Sequence, residues 1–262
     1  MNIKLALPSY RTTIALGVLS TFALLVAPAT HAQASGQTTF ASAEAASRAL
    51  FVALQNHDED AIGRILGETQ STQEKRDEER LEREQFAKKY EEMHRLGRAS
   101  NDRMVLYVGA ENWPFPFPLV SQNNAWRFDA IAGEKEILFR RIGENELTAI
   151  EICRALAKAT PNTQAHQDDD LLGTLLVDAQ RSGTPTLYRG YRFRVLNRGR
   201  KDFVAIAYPE TYRSSGVMTF IVGQHAVVHA KDLGTNTTEL ANAMTEYHSD
   251  RSWKEETASI SP

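Results

Sequence analysis

The chain has 262 residues, with 33 acidic and 30 basic side chains, a formal net charge of −3 and 42% hydrophobic residues. That material suffices for one large core or two small ones, and the lack of a polybasic run argues against nucleic acid as a partner. A single thiol, Cys153, excludes an intramolecular disulfide.

Residues 1–34 have the form of an export signal. Lys4 and Arg11 make a basic start, Ile14 to Ala27 an apolar stretch, and Ala32-Gln33-Ala34 a small-residue cleavage site. The stretch is shorter than the roughly 20 residues a membrane span needs, and no later segment approaches that length. No span is therefore expected once the signal is removed. Without a cysteine after the stretch, lipid attachment is not expected either. Removing Lys4 and Arg11 takes the charge from −3 to −5, and the expected location is the periplasm.

Residues 35–132 are expected to form an N-terminal α+β half. Ser42 is a suitable N-cap for a helix whose apolar face carries Ala46, Leu50, Phe51 and Leu54. Asn56-His57-Asp58 interrupts it, and Ile62, Ile65 and Leu66 resume before Gly67. Such a helical pair before a Trp-bearing hairpin is similar to the opening of the nuclear-transport-factor-like cone fold. Ser71-Thr72-Gln73-Glu74 has capping-box form, predicting a helix from there to Gly97. Its first half is charged, with Glu79–Arg83 and Glu84–Lys88 at i,i+4 spacing, and its second half docks through Phe86, Tyr90 and Met93. Met104 to Val108 reads as a strand. In Trp113-Pro114-Phe115-Pro116-Phe117-Pro118, alternate prolines remove every N–H on one side, so this segment pairs along one edge only. A polyproline-type ligand is the alternative reading. Ala125 to Asp129, with Trp126, is expected to return as the second strand of a hairpin.

Residues 133–262 are expected to hold a long helix, an antiparallel sheet and a C-terminal helix. The helical pattern runs from about Glu134 to Ala159, with Gly143 a weak point and Pro161 beyond its end. A short helix is predicted over Gln167 to Gly183, burying Leu172, Leu175 and Leu176. Tyr191, Phe193 and Val195 alternate with Arg192 and Arg194, a half-buried strand. Asn197 to Arg200 turns the chain into Phe203–Tyr208; Val217–Val222 follows, then Gly223-Gln224-His225 and a fourth strand at Ala226–His229. Short connections favour a four-stranded antiparallel meander. Its two central strands are apolar on both faces and need cover on both sides, one layer being the long helix and the other the N-terminal half or a partner. The strand at 226–229 is expected to be an edge. Asn236 with Glu239 is expected to cap a last helix carrying Leu240, Ala243, Met244 and Tyr247, with Trp253 anchoring the tail. The fold class is α+β.

No Gly-x-Ser-x-Gly elbow, phosphate-binding loop, dinucleotide fingerprint, His-Glu-x-x-His or Cys-x-x-Cys occurs, so no catalytic residue, metal or cofactor is expected. His225 and His229 are about 13 Å apart along a strand, too far to share one ion comfortably. His166 with Asp168, Asp169 and Asp170 lacks the order of a calcium loop. Glu144 and Glu146 do not face one another on a helix, and Cys153 shares a stripe with Ile152 and Leu156 as a buried small hydrophobe. Candidate binding residues are the aromatics Trp113, Phe115, Phe117, Trp126, Tyr208 and Tyr212.

The segments ENWPFPFPLV (111–120), WRFDAIAGEKEILFRRIGENEL (126–147), GYRFRVL (190–196), AYPETYRSSGVMTFIV (207–222), KDLG (231–234) and SW (252–253) resemble a Gram-negative exported family, domain of unknown function 2950. The resemblance implies export to the periplasm and assigns no activity. The chain departs from it at His225-Ala226, where the family carries Asp-Gly, and over Thr160 to Asp170, where the family has a longer insertion. The C-terminal half is also similar to pilin-like headgroups, without the prepilin processing motif. The leading expectation is a noncatalytic binding or assembly accessory whose partner is another envelope protein. The alternatives are an enzyme or small-ligand binder with a pocket in the N-terminal half, and a structural envelope subunit. No oligomeric state is legible.

Overall fold

The computed structural model describes residues 36–67, 73–158, 185–197, 203–246 and 250–256, with the backbone alone over 73–80 and at 197. The expected export signal, the expected capping box at Ser71, the Glu79 side chain, the His166–Asp170 cluster, the helix expected over 167–183, the turn expected at 198–200 and Tyr247 lie outside the described residues. The chain divides into two units at Leu138/Phe139, and each is described by itself.

In the first unit, helices α1 (Ala43–Gln55), α2 (Glu59–Leu66) and α3 (Gln73–Glu92) precede the strands. Ser42 Oγ accepts from Ala45 N at 3.1 Å and Asp58 Oδ1 from Ala61 N at 2.9 Å, satisfying amides that an uncapped helix start would leave bare. Gly67 ends α2 with φ 79°, a left-handed stop that glycine takes without strain. Strands β1 (His94–Ser100), β2 (Arg103–Val108), β3 (Trp113–Pro114), β4 (Leu119–Gln122) and β5 (Ala125–Phe128) form an antiparallel sheet in the order β1-β2-β4-β5, with β3 also on β2. Helices α1 and α2 pack against β5, and α3 against β2 and β1. Between them lie Leu50, Leu54, Ile65, Phe86, Leu106, Phe115, Phe117 and Phe128, all buried. Each such side chain stabilises by about 1.5–3 kcal/mol relative to exposure.

Two expectations for this unit need correction. Helix α3 stops at Glu92 rather than Gly97, because Gly109 N–H takes the Lys89 and Met93 carbonyls at 3.1 and 2.9 Å and the chain leaves as β1. The hairpin partner of β5 is β4, not β2; Leu119–Gln122 intervenes and pairs with both. The proline segment does pair one way, with Phe115 N donating to Leu106 O at 2.8 Å.

Helix α4 (Ala130–Lys158) opens at Asp129, whose Oδ1 accepts from Ala132 N at 3.1 Å. In the second unit its Ala149, Ile152, Cys153 and Leu156 pack on a sheet of six consecutive strands: β6 (Thr186–Tyr188), β7 (Tyr191–Asn197), β8 (Val204–Pro209), β9 (Met218–Gly223), β10 (Val228–Asp232) and β11 (Lys254–Glu255). Neighbours are antiparallel throughout, so the predicted meander stands with a short strand added at each side. Tyr191, Phe193, Val195, Ala205, Ala207, Phe220 and Val222 face α4, while Ile206, Tyr208 and Ile221 face the other way, the period-2 alternation of a strand.

The second cover comes from within this unit rather than from the N-terminal half or a partner. Helix α5 (Thr237–Ala243), with Leu233, Met244 and Trp253, closes that face through Ala241. A seven-residue helix is marginal alone; Arg194 holds it, donating to the carbonyls of Ala241, Asn242 and Met244 at 2.7, 3.2 and 2.8 Å. The Asn236 side chain makes no capping bond; a 3-10 turn at Gly234–Asn236 leads in instead. Nor is the fourth strand an edge. It lies at Val228–Asp232, and Lys254–Glu255 pairs along its outer side at Ala230 and His229. Among the described residues no helix is long and apolar enough to cross a membrane.

Candidate functional site

The two motif segments richest in polar residues meet in the second unit. Glu146 Oε1 accepts from the backbone amides of Val217 and Met218 at 2.8 and 3.0 Å, and the Tyr191 hydroxyl lies 3.4 Å away while donating to Met218 O at 2.9 Å. Asn145 Nδ2 donates to Ser215 O at 2.8 Å, and Arg141 to Ser214 O at 3.3 Å. Three side chains from two successive turns of α4 thus clasp the 211–218 loop. A Cβ on Gly216 would sit 2.2 Å from the Tyr191 hydroxyl, so only glycine lets the loop close this far. Burial and the neighbouring Glu146 charge push the Tyr191 hydroxyl far above the ordinary phenol range. Burial pushes the Cys153 thiol up to about 12, the Arg154 charge opposing it. Neither is a nucleophile near neutrality. Glu144 is exposed on α4, whereas Glu146 turns toward the loop; the sequence reading set the two aside as an acid/base couple. It missed the clasp, because Glu146 and its amide partners are 71 and 72 residues apart.

Of the predicted binding aromatics, Trp113, Phe115 and Phe117 lie in the first core, with Phe115 5.0 Å from Phe86 and 5.8 Å from Phe128 between ring centroids. Trp126 is half-buried and its backbone bridges Phe40. Tyr208 is buried under α5, its hydroxyl donating to Asn242 Oδ1 at 2.7 Å. Tyr212 is half-buried and donates to Asp232 Oδ2 at 3.1 Å. The structure does not gather these six into one surface; Trp126 and Tyr212 retain exposed area, on different units. Among the described residues no three His, Cys, Asp or Glu side chains converge as a metal site would require.

An open groove of about 620 Å³ lies in the first unit between α1 and β1, lined by Glu44, Ala45, Ser47, Arg48, Tyr90, His94, Arg95 and Leu96. Its size falls within the range of ligand-binding clefts. Its lining rings Tyr90 and His94 belong to a stack of three: Phe51 on Tyr90 at 4.5 Å and Tyr90 on His94 at 3.9 Å, nearly parallel at 14° and 9°. The Tyr90 hydroxyl shares a 3.0 Å hydrogen bond with Ser47 Oγ, and both residues are buried. His94 Nδ1 donates to the Tyr90 carbonyl at 2.9 Å, which fixes the ring. Arg95 is held by Asn112 Oδ1 at 2.6 Å and lies 4.1 Å over the Tyr107 ring. Two arginines against one acid, Glu44, line the groove. The sequence hid this site by continuing α3 across His94–Gly97; the Asn101-Asp102 turn after an alternating His94-x-Leu96-x-Arg98 is the signal that could have exposed it.

Geometry of this kind defines a two-unit α+β protein with filled cores and a polar, ring-lined surface groove. A family model described as a protein of unknown function (DUF2950) matches residues 37–170 and 161–256, and the chain belongs to that family. No curated protein and no solved structure matches the chain, and the likeness of its C-terminal half to pilin headgroups is without support.

Proposed function

We propose that the protein is exported to the periplasm of a Gram-negative cell and acts there as a noncatalytic accessory that binds an envelope partner through the α1–β1 groove. One observation carries the noncatalytic reading. Three polar side chains of the second unit are spent on backbone groups: Glu146 on two amides, Asn145 on one carbonyl and Arg194 on three. Glu146, bound in this way, serves to anchor the 211–218 loop. The groove, in contrast, joins a rigid ring platform to two guanidinium groups, which is equipment for holding rather than converting a ligand. The open face of His94 also favours a second reading, a small flat ligand stacked as a fourth layer.

Both halves of the proposal are open to one experiment. The full-length chain is expressed in a Gram-negative host with a photo-crosslinking residue at Arg48, and a control carries it at exposed Glu239 on α5. The expected result is protein lacking residues 1–34 in the periplasmic fraction and an adduct from position 48 alone. Retention in the cytoplasm would overturn the export reading. Equal adducts from both positions, or none, would overturn the groove as the binding surface.

A further inference from the structure

Sheet edges are where a protein presents unpaired N–H and C=O groups to other chains, and natural folds shorten, cover or break them. Here the second sheet ends in strands of three residues (β6) and two (β11). In the first sheet the free side of β5 is bridged by Phe40, and the segment at Pro114, Pro116 and Pro118 is spoiled for pairing. Strand β1 is different: seven residues long, mostly exposed, and paired among the described residues only with β2. His94, Arg95 and Leu96 all line the groove. Three consecutive strand residues point to alternate faces, so a wall made of all three is the strand's backbone edge.

We propose that β1 accepts an extended, acidic peptide segment of a partner as an added antiparallel or parallel strand, lying in the groove between β1 and α1. This rests on the groove reading above and names what occupies it. Main-chain hydrogen bonds would supply affinity, and side chains alternating to the two faces would supply choice. Toward the helices they meet Arg48, the His94 ring and, by alternation, Arg98; on the other face they meet Arg95, fixed over Tyr107. Gly97 lets the Tyr107 ring lie close under the strand, since a Cβ there would be 2.7 Å from it. Guanidinium groups on both faces of one free edge match glutamate or aspartate at successive positions, with an aromatic side chain over His94.

The test uses the full mature chain and synthetic nine-residue peptides with two successive glutamates on each side of a central tyrosine and valine at the remaining positions, alongside a lysine-for-glutamate counterpart. Binding is followed by amide hydrogen exchange and by His94 ring resonances. The glutamate peptide should protect β1 amides saturably and the lysine peptide should not. Arg48→Gln and Arg98→Gln should each weaken binding by about two- to fivefold, as expected for exposed ion pairs. N-methylating the peptide's alternate amides in one register should cost about tenfold or more, and in the other register little, because only one set faces β1. Equal loss in both registers, no protection of β1, or equal binding of the lysine peptide would overturn strand addition. A free aromatic carboxylate such as benzoate shifting His94 without β1 protection, where the peptides fail, would overturn it in favour of a small-ligand groove. If position 48 still crosslinks a partner while no peptide binds, the inference falls and the groove reading stands.

Discussion

The Glu146 clasp gives the sharpest prediction about stability. Replacing Glu146 with alanine strips the Val217 and Met218 amides of their acceptor. Hydrogen bonds to a charged group contribute about 1.5–3 kcal/mol each, and because Glu146 is half-buried the lower figure applies, giving a loss of about 3 kcal/mol. Glu146→Gln keeps a carbonyl oxygen for the two amides and loses only the charge assistance, so about 1 kcal/mol is expected. Glu144→Ala, on the exposed side of the same turn, should change stability by less than about 0.5 kcal/mol. Because two units need not unfold together, the measurement is amide exchange at Val217 and Met218, supported by urea unfolding. A Glu146→Ala protein that unfolds like Glu144→Ala, with unaltered exchange at those two amides, would refute the reasoning.

Two glycines of α4 should respond oppositely to alanine: Gly133→Ala places a Cβ 2.1 Å from the Phe117 ring and should destabilise by about 1–3 kcal/mol, whereas Gly143 has nothing within 4 Å and should gain up to about 1 kcal/mol, both read from thermal unfolding. Arg194→Met removes three carbonyl partners from the end of α5 and should cost about 2–3 kcal/mol, with faster exchange at Ile221 beneath it; unchanged exchange there would count against the clamp. Alkaline pH should destabilise the second unit. The unfolded thiol of Cys153 ionises near 9.0 while the native one keeps its proton to about 12, so the native state binds the extra proton and stability falls by about 1.4 kcal/mol per pH unit across that window. Cys153→Ala should remove that slope, leaving the part due to Tyr191 at higher pH, as followed by urea midpoints between pH 8 and 11.

Much of this architecture was legible in the sequence because its signals are local. Ser42 caps as its type suggests, Gly67 stops α2, and the alternation of Tyr191, Phe193 and Val195 puts three side chains on one face. The errors arise where a distant partner decides. His94–Gly97 continues a helical pattern, yet Gly109, sixteen residues from Met93, terminates the helix by binding its last carbonyls. The sequence points to the N-terminal half or a partner for the outer cover of the sheet; what lets the short α5 supply it is Arg194, a residue that reads in sequence as the solvent side of a half-buried strand. The fourth strand looked like an edge because two residues near the C-terminus, Lys254 and Glu255, carry too little pattern to announce a strand.

The same distinction separates folding from binding along this chain. Three of the segments that carry the family resemblance do structural work: 111–120 puts Trp113, Phe115 and Phe117 in the first core, 126–147 caps α4 at Asp129 and clasps through Glu146, and 207–222 is the clasped loop with its buried strands. A motif built of prolines, aromatics and a Gly-fitted loop is distinctive because close packing tolerates few substitutes, and such distinctiveness needs no chemistry behind it. The groove residues Glu44, Ser47, Arg48, Tyr90, His94 and Arg95 all lie outside those segments. A binding surface is free to vary with its partner so long as the scaffold holds α1 and β1 apart, and that scaffold is what the distinctive segments build. Exchanging Arg48 and Arg98 for glutamate should therefore redirect binding from acidic to basic peptides with the fold intact, whereas changes within 126–147 should show first as lost stability.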